Sequence, residues 1–253
     1  MIYIIVLALI QGLTEFLPVS SSGHLVLVSK LFGNTQDFLL LSVLLHVATL
    51  FSVVFVLRKQ VWEIIKNPFG NLSKKLVVAT IPTVILVFLF KSFIEKAFSG
   101  IYLPFCFMAT AVLIIFTEVL SKNHKNRNKK LDYKDSLIMG VFQGIAVLPG
   151  ISRSGSTICG GLISGANRDE VANFSFLMSI PIIVASLIME VYDYVVSGTV
   201  VTFAWYELLI GFVVAFISGF FAVKFMINLI KKHSLIWFSI YLILISVLSF
   251  FII

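Results

Sequence analysis

The segment QGLTEFLPVSSSGH, residues 11–24, places a carboxylate, an amide, four hydroxyls and an imidazole in an otherwise apolar chain. A second segment, QGIAVLPGISRSGST, residues 143–157, repeats its order. Both begin with Gln-Gly, reach Leu-Pro after three or four further residues, and end in a run rich in serine and glycine. Such self-similarity is the mark of an internal repeat. The sequence therefore predicts two halves, each of which contributes half of one site.

The composition is that of a polytopic membrane protein. Of the 253 residues, 59% are hydrophobic and 12% are charged, and the mean hydropathy is +1.07. The apolar runs are long enough to cross a bilayer, which takes about 20 residues. The formal charge of +7 lies in short loops between these runs, as is usual in membrane proteins, so nucleic-acid binding is not expected.

The helices on either side of each polar segment are too short to cross the membrane. Residues 1–17 and 22–31 flank the first break, and residues 136–148 and 156–166 flank the second. Each pair is therefore predicted to be a re-entrant hairpin, which enters and leaves on the same side. Irregular backbone at membrane depth is tolerated only where protein or a water-filled cavity surrounds it. The two tips are expected to line a cavity.

Six longer apolar segments predict transmembrane helices. They cover residues 38–57, 76–91, 101–120, 171–192, 203–228 and 235–253. Three crossings per half is an odd number, so the second hairpin must enter from the side opposite the first. The predicted fold class is an all-α polytopic membrane protein with an inverted-topology repeat, six transmembrane helices and two re-entrant helical hairpins. It forms a single membrane domain, 1–253, in which repeats 1–121 and 136–253 are joined by a basic cytoplasmic linker, 122–135; inverted repeats are also known from secondary transporters.

The basic residues give the expected orientation. Fifteen of the 19 Lys and Arg residues fall on one predicted face, whereas Lys30, Lys91 and Lys96 fall on the other and Arg153 lies within the membrane. The positive-inside rule assigns the basic face to the cytoplasm. Both chain termini and the site are therefore expected to face outside.

The first tip carries the residue types of a metal site and a nucleophile. Gln11 and Glu15 are four residues apart, so they share a helix face and can hold a hard cation through oxygen ligands. Ser21 and His24 are three residues apart and would lie close together in a helix. The imidazole could then act as a base on the hydroxyl or as a nucleophile itself.

The second tip carries the residue types that bind an anion. An Arg fork, several hydroxyls and free backbone N–H groups at a helix start form a cradle for phosphate. The predicted phosphate-binding residues are Ser152, Arg153, Ser154 and Thr157, together with Ser20 and Ser22 of the first tip. An additional structural role is open to Glu15, which could pair with Arg153 across the repeat axis. That pairing is compatible with catalysis.

Three polar residues outside the tips receive structural interpretations. His46, in the middle of a span, is interpreted as a hydrogen-bonding residue of helix packing. Glu118 lies near a predicted span end, where a solvated position is expected. Thr83 lies outside both tips and is expected to tolerate alanine.

The two segments closely resemble the two signature motifs of undecaprenyl-diphosphate phosphatases, the bacitracin-resistance family called BacA, and the resemblance runs over the whole chain. The family motifs correspond here to Gln11, Glu15, Ser21, His24, Ser152, Arg153, Ser154 and Thr157. Gln11 is the less charged of the two residues that the first position takes, which weakens a metal site built on two carboxylates.

The resemblance implies hydrolysis of undecaprenyl diphosphate to the monophosphate on the outer side of the bacterial inner membrane. It also implies a divalent cation, Mg²⁺ or Ca²⁺, as cofactor and the recycling of a carrier lipid for peptidoglycan. The expected partners are the polyprenyl diphosphate substrate and membrane lipids. A homodimer is compatible with the sequence.

The residues leave the attacking group open between Ser21 activated by His24 and a water activated by His24 or Glu15. Parts of the sequence suggest two other functions. A transporter or flippase of the same phosphorylated lipid would fit the inverted repeat and differs by releasing no phosphate. An acid-phosphatase-like membrane enzyme requires a further histidine after Arg153, and the one histidine there, His233, lies far away in a basic loop.

Overall fold

A computed structural model describes residues 1–32, 38–122, 129–197 and 203–253. These residues form twelve α-helices and no β-strand, which confirms the all-α prediction. The helices of the first half are α1 Ile2–Thr14, α2 Ser21–Leu31, α3 Phe38–Val56, α4 Arg58–Lys66, α5 Asn71–Leu89, α6 Lys91–Ala97 and α7 Leu103–Lys122. Those of the second half are α8 Tyr133–Ile145, α9 Arg153–Ile163, α10 Arg168–Ser197, α11 Trp205–Lys232 and α12 Ile236–Ile252.

Four of the described helices are long and apolar enough to cross a membrane. They are α5, α7, α10 and α11, and the count rises to five if α3 and α4, which meet at 85°, form one broken span. The 17 residues of α12 place it among the shorter apolar helices, with α1. The chain is therefore a multi-pass membrane protein. The predicted total of six spans stays a prediction.

The short helix pairs expected around the polar segments are present. α1 and α2 are separated by residues 15–20, and α8 and α9 by residues 146–152. The second helix of the second pair begins three residues earlier than predicted, at Arg153. The reason is local, because Ser152 caps it and draws the Arg-Ser-Gly run into the first turn.

Two short helices, α4 and α6, lie where the sequence predicts the loops that connect apolar spans. In α4, Val61 and Ile64 pack against the core, while Arg58, Lys59 and Lys66 are exposed. An amphipathic segment of this kind suits the interface between lipid and water. The charges alone predict a loop here, because nine residues are too few to cross a membrane.

The helices of each half pack closely against those of the other. α1 lies against α11, and α8 lies against α5. A Cβ atom added to Gly12 of α1 would come within 2.7 Å of the Ala215 carbonyl, and one added to Gly140 of α8 within 2.1 Å of the Ala79 carbonyl. Small residues at such crossings let helix backbones approach in membranes.

The start of α8 is fixed by charged residues at the end of the predicted linker. The Asp132 side chain accepts from the N–H of Asp135, and the Asp135 side chain accepts from the N–H of Asp132. The first of these bonds lowers the pKa of Asp132, and the bond to Asp135 raises the pKa of Lys129. Residues 123–128 of the linker 122–135 lie outside the described residues, and the division into repeats 1–121 and 136–253 stays a prediction.

One expectation about charge is wrong. Glu118 is 5% exposed rather than solvated. Its carboxylate accepts two hydrogen bonds from Arg168, at 2.9 and 3.0 Å, and a third from the N–H of Leu235 at 3.0 Å. Arg168 also donates to the carbonyl oxygens of Ile230 and His233. This network connects the ends of α7, α10 and α11. The partners come from distant parts of the chain, so the place of Glu118 near a span end does not indicate them.

Candidate active site between the two tips

The two interrupted helix pairs meet at their breaks. The hydroxyl of Ser154 donates to the carbonyl of Leu17 over 2.8 Å, and the N–H of Gly150 donates to Oγ of Ser20 over 3.1 Å. Each bond joins one tip to the other. The tips, residues 15–20 and 146–152, therefore form one structure, as the repeat in the sequence predicted.

Each tip ends in a serine that caps the following helix. Oγ of Ser20 accepts from the N–H of Gly23 over 3.4 Å, and Oγ of Ser152 accepts from the N–H of Gly155 over 3.1 Å. Ser20 has φ of +68°, in the left-handed region that serine rarely adopts, so its surroundings must hold it there. A Cβ atom on Gly23 would lie 2.9 Å from Cα of Gly150. Glycine at this position thus allows the tips to touch.

Glu15 is the centre of the polar cluster. One carboxylate oxygen accepts from the guanidinium of Arg153, and the other accepts from the hydroxyl of Ser21 and, at 2.9 Å, from the amide of Gln11. Glu15 itself is 5% exposed. The structural pairing of Glu15 with Arg153 is confirmed, and Ser21 lies in the same cluster.

His46 also faces this cluster, which its interpretation as a residue of helix packing did not anticipate. Its Nδ1 lies 2.7 Å from the carbonyl oxygen of Ser42. A carbonyl oxygen can only accept, so Nδ1 carries a hydrogen. Nε2 lies on the other side of the ring, 3.6 Å from Oε2 of Glu15. The sequence signal was one imidazole in an apolar span, which fits helix packing equally well.

His24 is engaged elsewhere. Its Nδ1 lies 2.7 Å from the carbonyl oxygen of Ser20, and its Nε2 lies 2.6 Å from the hydroxyl of Tyr241, whose ring is nearly parallel to the imidazole. Ser21 instead donates to Glu15. The expected contact between Ser21 and His24 is therefore replaced by two others, because the imidazole turns back to the carbonyl that begins α2 and toward α12.

The remaining predicted residues divide into two groups. Ser22 lies 3.4 Å from Ser20, hydroxyl to hydroxyl, and both line the central cavity. Thr157 is fully buried, and its hydroxyl contacts the carbonyl of Arg153 and the hydroxyl of Ser175 on α10. Thr157 thus supports the first turn of α9 from behind.

A cavity of about 270 Å³ lies in front of the cluster. The polar part of its wall consists of Glu15, Ser20, Ser21, Ser22, Ser42, His46, Gln143, Ser152, Arg153 and Ser186. The apolar part consists of Leu25, Val26, Val43, Val47, Phe98, Ala146, Val147, Ile151, Ile182, Ile183 and Leu187. A cation and hydroxyls beside an apolar wall suit a ligand with an anionic head and a hydrocarbon tail.

The predicted metal ligands offer a small donor set. No group of three or more His, Cys, Asp and Glu side chains gathers into a metal site within the described residues. Gln11 lies beside Glu15, and its amide oxygen is buried with no hydrogen-bond partner among those residues. One carboxylate and one amide oxygen fit a Mg²⁺ ion that takes its other ligands from phosphate and water.

Comparison with known proteins identifies the family. Residues 4–248 match the model of the family described as bacitracin resistance protein BacA, and both tips lie within the match. The chain belongs to the BacA family. Its relatives include a protein of Carboxydothermus hydrogenoformans named undecaprenyl-diphosphatase, which is 42% identical over 241 residues, covering 94% of this chain and 91% of the relative.

Two further relatives carry the same name. The proteins of Halothermothrix orenii and Christiangramia forsetii are each 40% identical to this chain. In both cases the alignment covers 94% of this chain and 92% of the relative. The resemblance noted in the two motifs is confirmed, and it extends over nearly the full length.

Proposed function

We propose that this chain is an integral membrane phosphatase that hydrolyses undecaprenyl diphosphate to undecaprenyl phosphate and inorganic phosphate. The reaction recycles the lipid carrier for cell-wall synthesis and confers resistance to bacitracin. Membership of the BacA family and relatives named undecaprenyl-diphosphatase support this proposal. The observation that carries it is the contact of Arg153, Glu15 and Ser21 at the polar end of a cavity with an apolar wall.

The proposed site uses both tips. Arg153 binds the diphosphate and stabilises the charge on its oxygens as the bond to the leaving phosphate breaks. The hydroxyls and N–H groups that begin α2 and α9 hold the other oxygens. The proposed phosphate-binding residues are Ser20, Ser22, Ser152, Ser154 and Thr157, of which Thr157 acts through the backbone of Arg153.

Ser21 is the proposed nucleophile, and a water molecule is the alternative. The hydroxyl of Ser21 points at Glu15, which can accept its proton as the oxygen attacks the terminal phosphorus. His24 belongs to the same proposed set of catalytic residues through its place in the motif. Its present contacts with Ser20 and Tyr241 mean that it acts on the substrate only after leaving Tyr241.

Gln11 and Glu15 are the proposed ligands of the divalent cation, Mg²⁺ or Ca²⁺. When bound, the cation neutralises phosphate charge and polarises the bond to the leaving group. Gln11 donates its N–H to Glu15, which leaves the amide oxygen available. Gln11 lies in the last turn of α1 and Glu15 is the residue that caps this helix in helical conformation, so the backbone already holds the two side chains together.

The inverted repeat of six spans and two re-entrant hairpins is part of the proposal. Support comes from the packing, because α1 contacts α11 as α8 contacts α5, and α2 contacts α12 as α9 contacts α7. If α1, α2, α5 and α7 of the first half correspond to α8, α9, α11 and α12 of the second, each contact in one half of the site has an equivalent contact in the other.

The basic residues support an inner-membrane location with the site and termini outside. Labelling of single cysteines at residues 2 and 253 from outside intact cells tests that orientation, and light scattering in detergent tests for a homodimer.

Phosphate release is the decisive experiment. The detergent-purified protein is incubated with undecaprenyl or farnesyl diphosphate, with and without Mg²⁺ or Ca²⁺, beside Arg153→Ala. We expect cation-dependent release that the variant loses. A protein that binds the lipid and moves it between leaflets without releasing phosphate would instead be the transporter that the inverted repeat also allows.

A further inference from the structure

Gln143 occupies the same place in the second half as Gln11 does in the first. Each begins a Gln-Gly pair, and each precedes its capping serine by nine positions. In the first half, the residue four positions later is Glu15, which accepts a hydrogen bond from Gln11. In the second half, the residue four positions later is Val147. The amide of Gln143 therefore lacks the partner that its counterpart has.

The orientation of the Gln143 amide follows from its neighbour. The hydroxyl of Thr83 donates to the carbonyl of Gly140 over 2.9 Å, so its oxygen can only accept from Gln143. Nε2 of Gln143 lies 3.2 Å from that oxygen and donates to it. The carbonyl oxygen of the Gln143 amide consequently forms no hydrogen bond with Thr83.

That carbonyl oxygen is unsatisfied. Gln143 is 0% exposed, and Oε1 has no hydrogen-bond partner among the described residues. A buried acceptor without a donor is costly, and such groups in native structures call for an explanation such as a ligand or a catalytic role. Gln143 also lies in the wall of the cavity that contains Glu15, Ser21 and Arg153.

The chemistry of the missing partner is restricted. An ionised diphosphate presents acceptor oxygens, which would repel a carbonyl oxygen. A water molecule donates hydrogen bonds, and hydrolysis requires one. Glutamine side chains orient the attacking water in other phosphoryl-transfer enzymes.

We infer that the carbonyl oxygen of Gln143 binds and orients the water that hydrolyses the phosphate, an inference that rests on the proposed function. The water oxygen forms a bond to phosphorus, and the bond from phosphorus to its leaving oxygen breaks, whether that oxygen belongs to the lipid phosphate or to Ser21. The proton that faces Gln143 stays on the oxygen and becomes the hydroxyl of the released phosphate. The other proton ends on the leaving oxygen, so the two protons of water are divided between the two products. Thr83 positions Gln143 through the amide N–H.

The test measures kcat, KM and the choice between nucleophiles. Farnesyl diphosphate is hydrolysed in the presence of methanol by the wild-type protein and by the variants Gln143→Met, Gln143→Glu and Thr83→Val. Attack by water gives phosphate, and attack by methanol gives methyl phosphate. Gln60→Met, on α4, is the matched control. In Gln143→Met, which keeps the volume, we expect kcat to fall about 100-fold, KM to stay within about twofold, and the ratio of phosphate to methyl phosphate to fall.

The other variants separate a catalytic role from a structural one. Gln143→Glu, when protonated, can donate to Thr83 and still present a carbonyl oxygen, so it should retain the wild-type product ratio. Thr83→Val should lower kcat less than Gln143→Met does. Wild-type kcat and product ratio in Gln143→Met would overturn the inference, as would an equal loss in Thr83→Val with an unchanged ratio. Absence of phosphate release by the wild type would instead overturn the proposed function, and the water role with it.

Discussion

Arg153 and Glu15 lie 138 positions apart in the chain, yet the guanidinium of one donates to the carboxylate of the other. Each residue belongs to a different tip, so the ion pair joins the two halves at the polar end of the cavity. Glu15 simultaneously accepts from Ser21. The Glu15 carboxylate therefore holds both Arg153, which would bind phosphate, and Ser21, which would attack it.

Removal of either charge should abolish most activity. We expect Arg153→Ala to lower kcat by about 100-fold or more, because the charge of the transferring phosphoryl group loses its main partner. Glu15→Ala should cost a similar factor, while both proteins still insert into the membrane. Phosphate release at equal amounts of folded protein measures the effect, with Thr117→Ala on α7 as control. Normal turnover by Arg153→Ala would remove the second tip from the site.

His46 should matter for turnover, although it lies outside both motifs. Its ring forms part of the cavity wall and contacts Glu15, so His46→Leu allows the carboxylate to turn away from Ser21. We expect kcat to fall by roughly tenfold, and His46→Gln to retain more activity. The parallel variants His24→Gln and Tyr241→Phe show whether the contact between those two rings is also needed. Full activity in His46→Leu would make this residue one of helix packing alone.

Gly23→Ala should separate the tips. The added methyl group would lie 2.9 Å from Cα of Gly150 and 2.6 Å from the Phe107 ring. Backbone cannot yield as a flexible side chain can, so we expect a roughly 10- to 100-fold loss of kcat. Gly160→Ala on α9 is the matched control, since its methyl group meets the Phe142 side chain at 3.0 Å or more. Equal activity of the two variants would contradict close contact of the tips.

Gln11→Glu should strengthen cation binding. A second carboxylate beside Glu15 replaces an amide, and a pair of carboxylates gains more from a divalent cation than one does. We expect the Mg²⁺ concentration for half-maximal phosphate release to fall by roughly tenfold. Stabilisation of the substrate-free protein by Mg²⁺ in a thermal melt gives a second readout. An unchanged cation requirement in both assays would place the metal elsewhere.

Glu118→Gln should destabilise the fold without touching the site. Arg168 then loses its charge partner, and breaking a buried ion pair from one side costs roughly 3 kcal/mol. Unfolding in detergent by denaturant measures the free energy. Glu95→Gln is the control, because the ion pair of Glu95 with Lys91 is largely exposed and should contribute little. Similar stability of the two variants would rule out a structural role for the network around Glu118.

Thr83 makes contacts that its place outside both tips does not indicate, and its tolerance of alanine stays a prediction. It lies outside both tips and was expected to tolerate alanine. In the structure it is fully buried, donates to Gly140 and accepts from Gln143. Threonine residues in apolar spans commonly bond their own helix, and nothing in the spacing indicated a partner 60 positions away.

The sequence by itself determined the class of protein, the two broken helix pairs and the polar residues at each break. These features depend on the length of apolar runs and on Pro18, Pro149 and the capping serines, which act over a few neighbouring residues. It also indicated that Glu15 and Arg153 could pair, because both are charges in an apolar chain with no closer partner.

The tertiary structure alone decided which side chains turn toward the cavity. His46 of α3 faces Glu15, whereas His24 of the first motif faces Tyr241 of α12. It also decided that Gln143 lies in the cavity wall and that its buried Oε1 has no hydrogen-bond partner among the described residues. Side-chain direction depends on hydrogen-bond partners contributed by helices far away in the chain, and spacing within one helix carries no information about them.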